Sequence, residues 1–226
     1  MDSPILYVIA GPNGIGKTTS TYSLVPKNVP VINSDEIARI VKTAGIIQGN
    51  TQEYANREAL KLMQEYLEKH ISFGFETNLC DNDTWKFLLE IQKSGYQIQL
   101  IFLSTDDLKM LNTRIEERHK RGEHFVTPSV VEERYVNGLN LLQHYFEKPD
   151  KVVLIDNSAE TLMVAERINN KTRILLTPIP AWAQKCLSGT ANISNRPASV
   201  KDLSSADEVK RFYGSLSKGK EENREG

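Results

Sequence analysis

The chain has 226 residues, 28 basic against 29 acidic side chains and a net charge of -1, with 39% hydrophobic and 25% charged residues. That composition belongs to an ordinary globular protein, long enough for one substantial core with an appendage rather than for two full domains. It excludes a general field that would gather nucleic acid or anionic membrane, and no apolar run approaches the ~20 residues of a membrane helix.

In chain order, Met1-Asp2-Ser3-Pro4 lacks the basic and apolar regions of a signal peptide, so a cytoplasmic protein is expected, with Cys80 and Cys186 kept as thiols. The run Ile5 to Ala10 is apolar and β-branched and stops at a glycine cluster, as a buried parallel strand does. A helix follows from about Lys17, and Val29 to Ile32 predicts a second strand. Asn33-Ser34-Asp35 then supplies capping side chains for a helix through Ile37, Ile40 and Val41. Apolar residues between Thr51 and His70 recur at helical spacing. Further strands are expected at Phe73 to Phe75, Tyr96 to Leu103 and Val152 to Ile155. Helices are expected at Trp85 to Ile91, Leu108 to Arg121 and Val130 to Phe146, and a hairpin joins Leu162 to Arg167 with Arg173 to Leu176 across Asn169-Asn170.

Strands alternating with helices at this pitch predict an α/β fold, a mostly parallel sheet with helices on both faces. Residues 1–176 read as that domain. From 177 to 226, Pro178, Pro180 and Pro197, frequent Ser, Asn and Gly, and a charged end predict a poorly packed tail, ordered at most near Ala206 to Tyr213.

Ligands of an open parallel sheet lie outside the carboxyl ends of its strands. Five polar segments follow strands here and should converge on one rim: Gly11 to Thr19, Asn33 to Asp35, Glu76-Thr77-Asn78, Ser104 to Asp107, and Asp156-Asn157-Ser158. The first matches G-x-x-x-x-G-K-[ST] between a strand and a helix, the context a P-loop demands. Its glycines let the backbone approach phosphate oxygens, and Gly11, Asn13, Gly14, Ile15, Gly16, Lys17, Thr18 and Thr19 form the candidate nucleotide site for ATP or GTP. Lys17 would reach the β- and γ-phosphates, and the Thr18 hydroxyl would ligate Mg²⁺.

Asp35 has two readings, a general base for an attacking hydroxyl or a helix N-cap. Glu76, with Thr77 and Asn78 beside it, stands either for acceptor binding or for structural hydrogen bonding. Arg114, Arg118 and Arg121 share a helix face and Arg134 follows; they either meet transferring phosphate or pair with Glu116, Glu117, Glu132 and Glu133 on solvated helices. His124 reads as structural or hinge-like.

Taken together, the P-loop, Ile32 to Asp35, Ser72 to Asn78, Arg114 to Arg118 continuing to Gly122 to Val126, Arg134-Tyr135 and Ile155 to Ser158 resemble the zeta toxin family of P-loop kinases, from about Pro4 to Ser158. The resemblance implies a P-loop kinase fold with a helical lid, Asp35 as base, Glu76 on the acceptor, and a subset of Arg118, Arg121 and Arg134 on the phosphates. It also implies a small acceptor such as UDP-N-acetylglucosamine and an antitoxin-like protein partner. Two alternatives remain: a polynucleotide or RNA kinase, which the neutral charge disfavours, and a non-enzymatic nucleotide-gated module that docks through its tail.

Overall fold

The computed structural model describes residues 3–46, 49–121, 125–188, 190 and 193–194. Its centre is an eight-stranded sheet in the order β2-β3-β1-β4-β5-β6-β7-β8. The strands are β1 (Ile5–Ala10), β2 (Val31–Ile32), β3 (Phe73–Thr77), β4 (Gln97–Ser104), β5 (Lys151–Asp156), β6 (Leu162–Ile168), β7 (Lys171–Ile174) and β8 (Ile193–Ser194). β2, β3, β1, β4 and β5 run parallel. β6 and β7 turn back as the predicted hairpin, with Asn169 and Asn170 both at positive φ, as a two-residue turn between twisted strands requires.

Helices cover both faces because the central strands are apolar on both. Leu6, Val8, Ile98, Leu100, Phe102, Val152 and Leu154 join one buried cluster; the intervening Tyr7, Ile9, Ile101, Leu103, Val153 and Ile155 join the other. The first cluster is roofed by α3 (Thr51–Glu68), α4 (Asn82–Lys93) and α6 (Pro128–Tyr145), through side chains such as Met63, Trp85 and Leu142. On the second face lie α1 (Lys17–Leu24) and α5 (Leu108–Lys120), held by Leu24, Leu111 and Ile115. α2 (Ser34–Thr43) follows β2 and packs on α3. Emptying a site such as Phe102, which is 1% exposed at the heart of the larger cluster, would cost about 3–5 kcal/mol.

Sequence polarity misled in one region. Within residues 177–226, expected to form a poorly packed tail, α7 (Ala181–Leu187) instead folds onto α6 and buries Trp182, Ala183, Cys186 and Leu187 in the larger cluster. Four apolar side chains in seven residues suffice to anchor a short helix whose surroundings read as linker. The helix expected at 206–213 and His124 lie outside the described residues. Among the described residues, no helix is long and apolar enough to cross a membrane.

Candidate functional site

The turn from β1 into α1 builds a cradle for an anion. Gly11 has φ 141° and Gly14 has φ 81°, both left-handed values that suit glycine. A Cβ at Gly11 would stand 2.1 Å from the Leu103 carbonyl oxygen, and one at Gly14 would stand 2.7 Å from that of Leu111. The loop therefore lies flush against β4 and α5. α1 begins after Gly16 without a side-chain cap and without an acidic residue in its first turn, so its leading amides and dipole are offered outward.

Lys17 folds back over this loop. Its Nζ donates to the carbonyls of Gly11 at 2.8 Å and Pro12 at 3.0 Å and to Asn78 Oδ1 at 2.9 Å. Burial pushes the ammonium down to about 8; the charges of Glu76 and Asp35 pull it up, and Arg118 presses it further down. Asp35 and Arg118 are thus within electrostatic range of the P-loop lysine, although one comes from α2 and the other from α5.

Thr18, exposed at the helix start, donates from Oγ1 to Glu76 Oε1 at 2.9 Å and accepts from Asn33 Nδ2 at 3.4 Å. Glu76 and Thr77 lie inside β3, which runs two residues beyond the predicted Phe75. Burial raises the Glu76 carboxyl above its ordinary value, with Lys17 and the Thr18 hydrogen bond pulling the other way and Asp35 adding repulsion. The Thr77 hydroxyl accepts from Leu79 N and shapes the turn that presents Asn78. Leu79 holds φ 52°, uncommon for a branched, buried side chain, so the turn after β3 stores backbone strain beside the cradle.

The N-cap of α2 is Asn33, whose Oδ1 accepts from the amides of Asp35 and Glu36. Asp35 is thereby relieved of the capping duty that competed with a chemical one, and it stays exposed in the first turn. The arginines separate. Arg134 NH1 donates to Asn13 Oδ1 at 3.1 Å, carrying α6 onto the P-loop. Arg114 donates to the carbonyls of Asn157 and Ser158, bracing the segment after β5. Arg121 is the exposed C-cap of α5.

The five rim segments divide likewise. Three, after β1, β2 and β3, meet at Thr18. After β4 and at the end of β5, one carboxylate each instead goes to α7: Asp106 accepts from the Ala181 and Trp182 amides, and Asp156 Oδ2 accepts from Trp182 Nε1, while Asp107 caps α5 through the Met110 amide. Sequence reading missed Asn33 as a bridge to Thr18 and Asn157, whose Nδ2 donates to the Ile15 carbonyl at 2.6 Å. No local pattern marks either contact; only their place after a strand hinted at them. Among the described residues no group of three or more His, Cys, Asp or Glu is gathered to hold a metal. The Thr18 hydroxyl beside the Glu76 carboxylate offers hard oxygen donors of the kind Mg²⁺ takes one or two at a time, with phosphate and water completing its octahedron.

The zeta toxin family profile matches residues 1–176. A Haemophilus influenzae protein of uncharacterised role is 27% identical over 125 residues, covering 55% of this chain and 88% of its own length. The fold matches the AvrRxo1-ORF1:-ORF2 structure with ATP at a TM-score of 0.64 and 12% identity, over 95% of this chain and 76% of that one. It matches the PezAT toxin–antitoxin structure from Streptococcus pneumoniae at 0.55 and 13% identity, over 70% and 71% of the respective chains. With a glycine cradle in place and the profile spanning the whole parallel sheet and its hairpin, the chain belongs to the zeta toxin family and has the α/β fold of a P-loop kinase.

Proposed function

We propose that this protein is a kinase that transfers the γ-phosphoryl of ATP or GTP to a hydroxyl of a small acceptor, a UDP-N-acetylglucosamine-like nucleotide sugar being the acceptor class to test first. The carrying observation is that Lys17, Thr18, Glu76 and the exposed, uncommitted-to-capping Asp35 form one electrostatically coupled group at the mouth of the P-loop. A nucleotide-binding module has no need of the last two.

On this reading, the α1 amides and Lys17 hold the β- and γ-phosphates, exchanging the Lys17 bonds to the loop carbonyls for phosphate oxygens. Thr18, with Glu76 behind it, would hold Mg²⁺, which when bound neutralises charge on the β- and γ-oxygens. Asp35 takes the proton of the acceptor hydroxyl as its oxygen bonds to the γ-phosphorus and the bond to the β–γ bridging oxygen breaks, releasing the nucleoside diphosphate. Glu76, Thr77 and Asn78 flank the acceptor. Arg118 and Arg134 meet the charge on the equatorial oxygens, and Arg121, one turn beyond Arg118, is the outermost candidate. Because the AvrRxo1 and PezAT structures pair a kinase-fold chain with a second protein, an antitoxin-like partner is part of the proposal. We place the protein in the cytoplasm.

The test is incubation with labelled ATP or GTP, Mg²⁺ and a panel of UDP-sugars, with product identified by mass. Wild type should yield a phosphorylated sugar nucleotide and Lys17→Ala none. No product from that panel or from a metabolite extract would overturn the kinase reading.

A further inference from the structure

Trp182 lies beyond the segment shared with the family profile, yet its indole reaches the end of β5. Asp156 receives it. One carboxylate oxygen, Oδ2, accepts from Trp182 Nε1 at 2.9 Å in a buried environment, and the other, Oδ1, accepts from the Ser158 amide at 3.1 Å. Between them, Asn157 points the other way and donates from Nδ2 to the Ile15 carbonyl at 2.6 Å, inside the P-loop. The Thr161 hydroxyl holds Asn157 Oδ1 at 2.7 Å, and Arg114 clamps the Asn157 and Ser158 carbonyls, so the asparagine has one orientation. Any Cβ at Gly16 would sit 3.0 Å from Asn157 Nδ2, which shows how closely this side chain backs the cradle.

We propose that Trp182 of α7 is a positioning residue for the nucleotide site: through Asp156 and Asn157 it fixes the Ile15 carbonyl and hence the aim of the α1 amides. Four physical points support it. The Trp182–Asp156 bond is charge-assisted and shielded from water, where such bonds are strongest. Trp182 is itself immobilised, 2% exposed and packed 6.3 Å ring to ring from Phe102. Asp106, on the neighbouring loop, grips the start of the same helix through two amides, so α7 cannot slide without moving both loops. Finally, Ile15 is fully buried, so its carbonyl cannot compensate by swinging toward solvent. α7 is then a component of the site rather than the first turn of a tail.

The inference rests on the nucleotide reading above, and the experiment keeps the two apart by using one readout that needs no ligand. Trp182→Phe deletes the N–H while keeping an aromatic ring in place; Leu187→Ala loosens α7 packing without touching the Asp156 link. Native-state amide exchange should accelerate at Gly14 to Thr18 in Trp182→Phe and not in Leu187→Ala, although Leu187→Ala loses at least as much thermal stability. Calorimetric titration with ATP and Mg²⁺ should show about 5–10-fold weaker binding for Trp182→Phe and near wild-type affinity for Leu187→Ala, less than the full worth of a hydrogen bond to a charged group because the link reaches the nucleotide indirectly. Equal P-loop protection in wild type and Trp182→Phe, or losses that track stability in both variants, overturns the positioning role. Faster exchange in Trp182→Phe with no ATP binding by wild type upholds the mechanical link and overturns the nucleotide reading instead.

Discussion

Of the carboxylates at or just beyond the carboxyl ends of parallel strands, Asp107 caps α5, and four others divide into two unlike pairs. Asp35 and Glu76, on the β2–β3 side, face a lysine and a threonine of the P-loop and feel one another's charge. Asp106 and Asp156, on the β4–β5 side, are consumed by backbone amides and an indole of α7. Position at the end of a strand is the same in both pairs. What differs is the partner: a carboxylate saturated by fixed N–H donors holds structure, whereas one beside a lysine and an exposed helix start is the candidate for chemistry.

The sharpest way to break this comparison is to remove each charge. Asp35→Asn should lower kcat by roughly 10²–10⁴-fold, the usual contribution of a positioned general base, with nucleotide affinity and melting temperature nearly unchanged. A variant with wild-type turnover on a confirmed acceptor would return Asp35 to the structural side. Asp156→Ala should do the reverse. It strands the buried Trp182 N–H, costing about 1–3 kcal/mol of stability, seen as a lower denaturant midpoint. Asp106→Ala should cost about 1 kcal/mol, as a lost helix cap does, and so lower the melting temperature by ~2–4 °C.

The smallest effect carries the most diagnostic sign. The folded-state pKa of Glu76 is raised, chiefly by burial, so between its ordinary value and the raised one the native state holds the proton that the unfolded chain has released. Stability from this group is therefore complete at acid pH and is lost as pH rises through the folded pKa. Glu76→Gln, which keeps an acceptor for Thr18, should raise the melting temperature of the ligand-free protein at neutral pH, and the gain should vanish on acidification while phosphoryl transfer falls. A destabilised Glu76→Gln at pH 7 would mean that the carboxylate is held for structure, like Asp156.

Much of this was legible in the chain itself. A run such as Ile5 to Ala10, apolar at every position, can be satisfied only by burial on both faces, which forces flanking helices and a parallel sheet. The spacing of Gly11, Gly16, Lys17 and Thr18 identified the cradle because its constraints are local: positive φ, close backbone approach and a helix start. The β-hairpin announced itself through Asn169-Asn170 for the same reason.

What tertiary structure alone decided was the allocation of polar groups whose partners lie far away in sequence. Asn157 meets Ile15 across 142 positions, Arg134 meets Asn13 across 121, and Asp106 meets α7 across some 75. Side-chain hydrogen bonds of this reach leave no periodicity and no spacing rule. Nor could hydropathy foresee that Trp182, Cys186 and Leu187, set among prolines and polar residues, would pack on α6 and join the larger buried cluster. Burial of a short segment depends on the surface that receives it, and that surface exists only once the sheet and its helices have assembled.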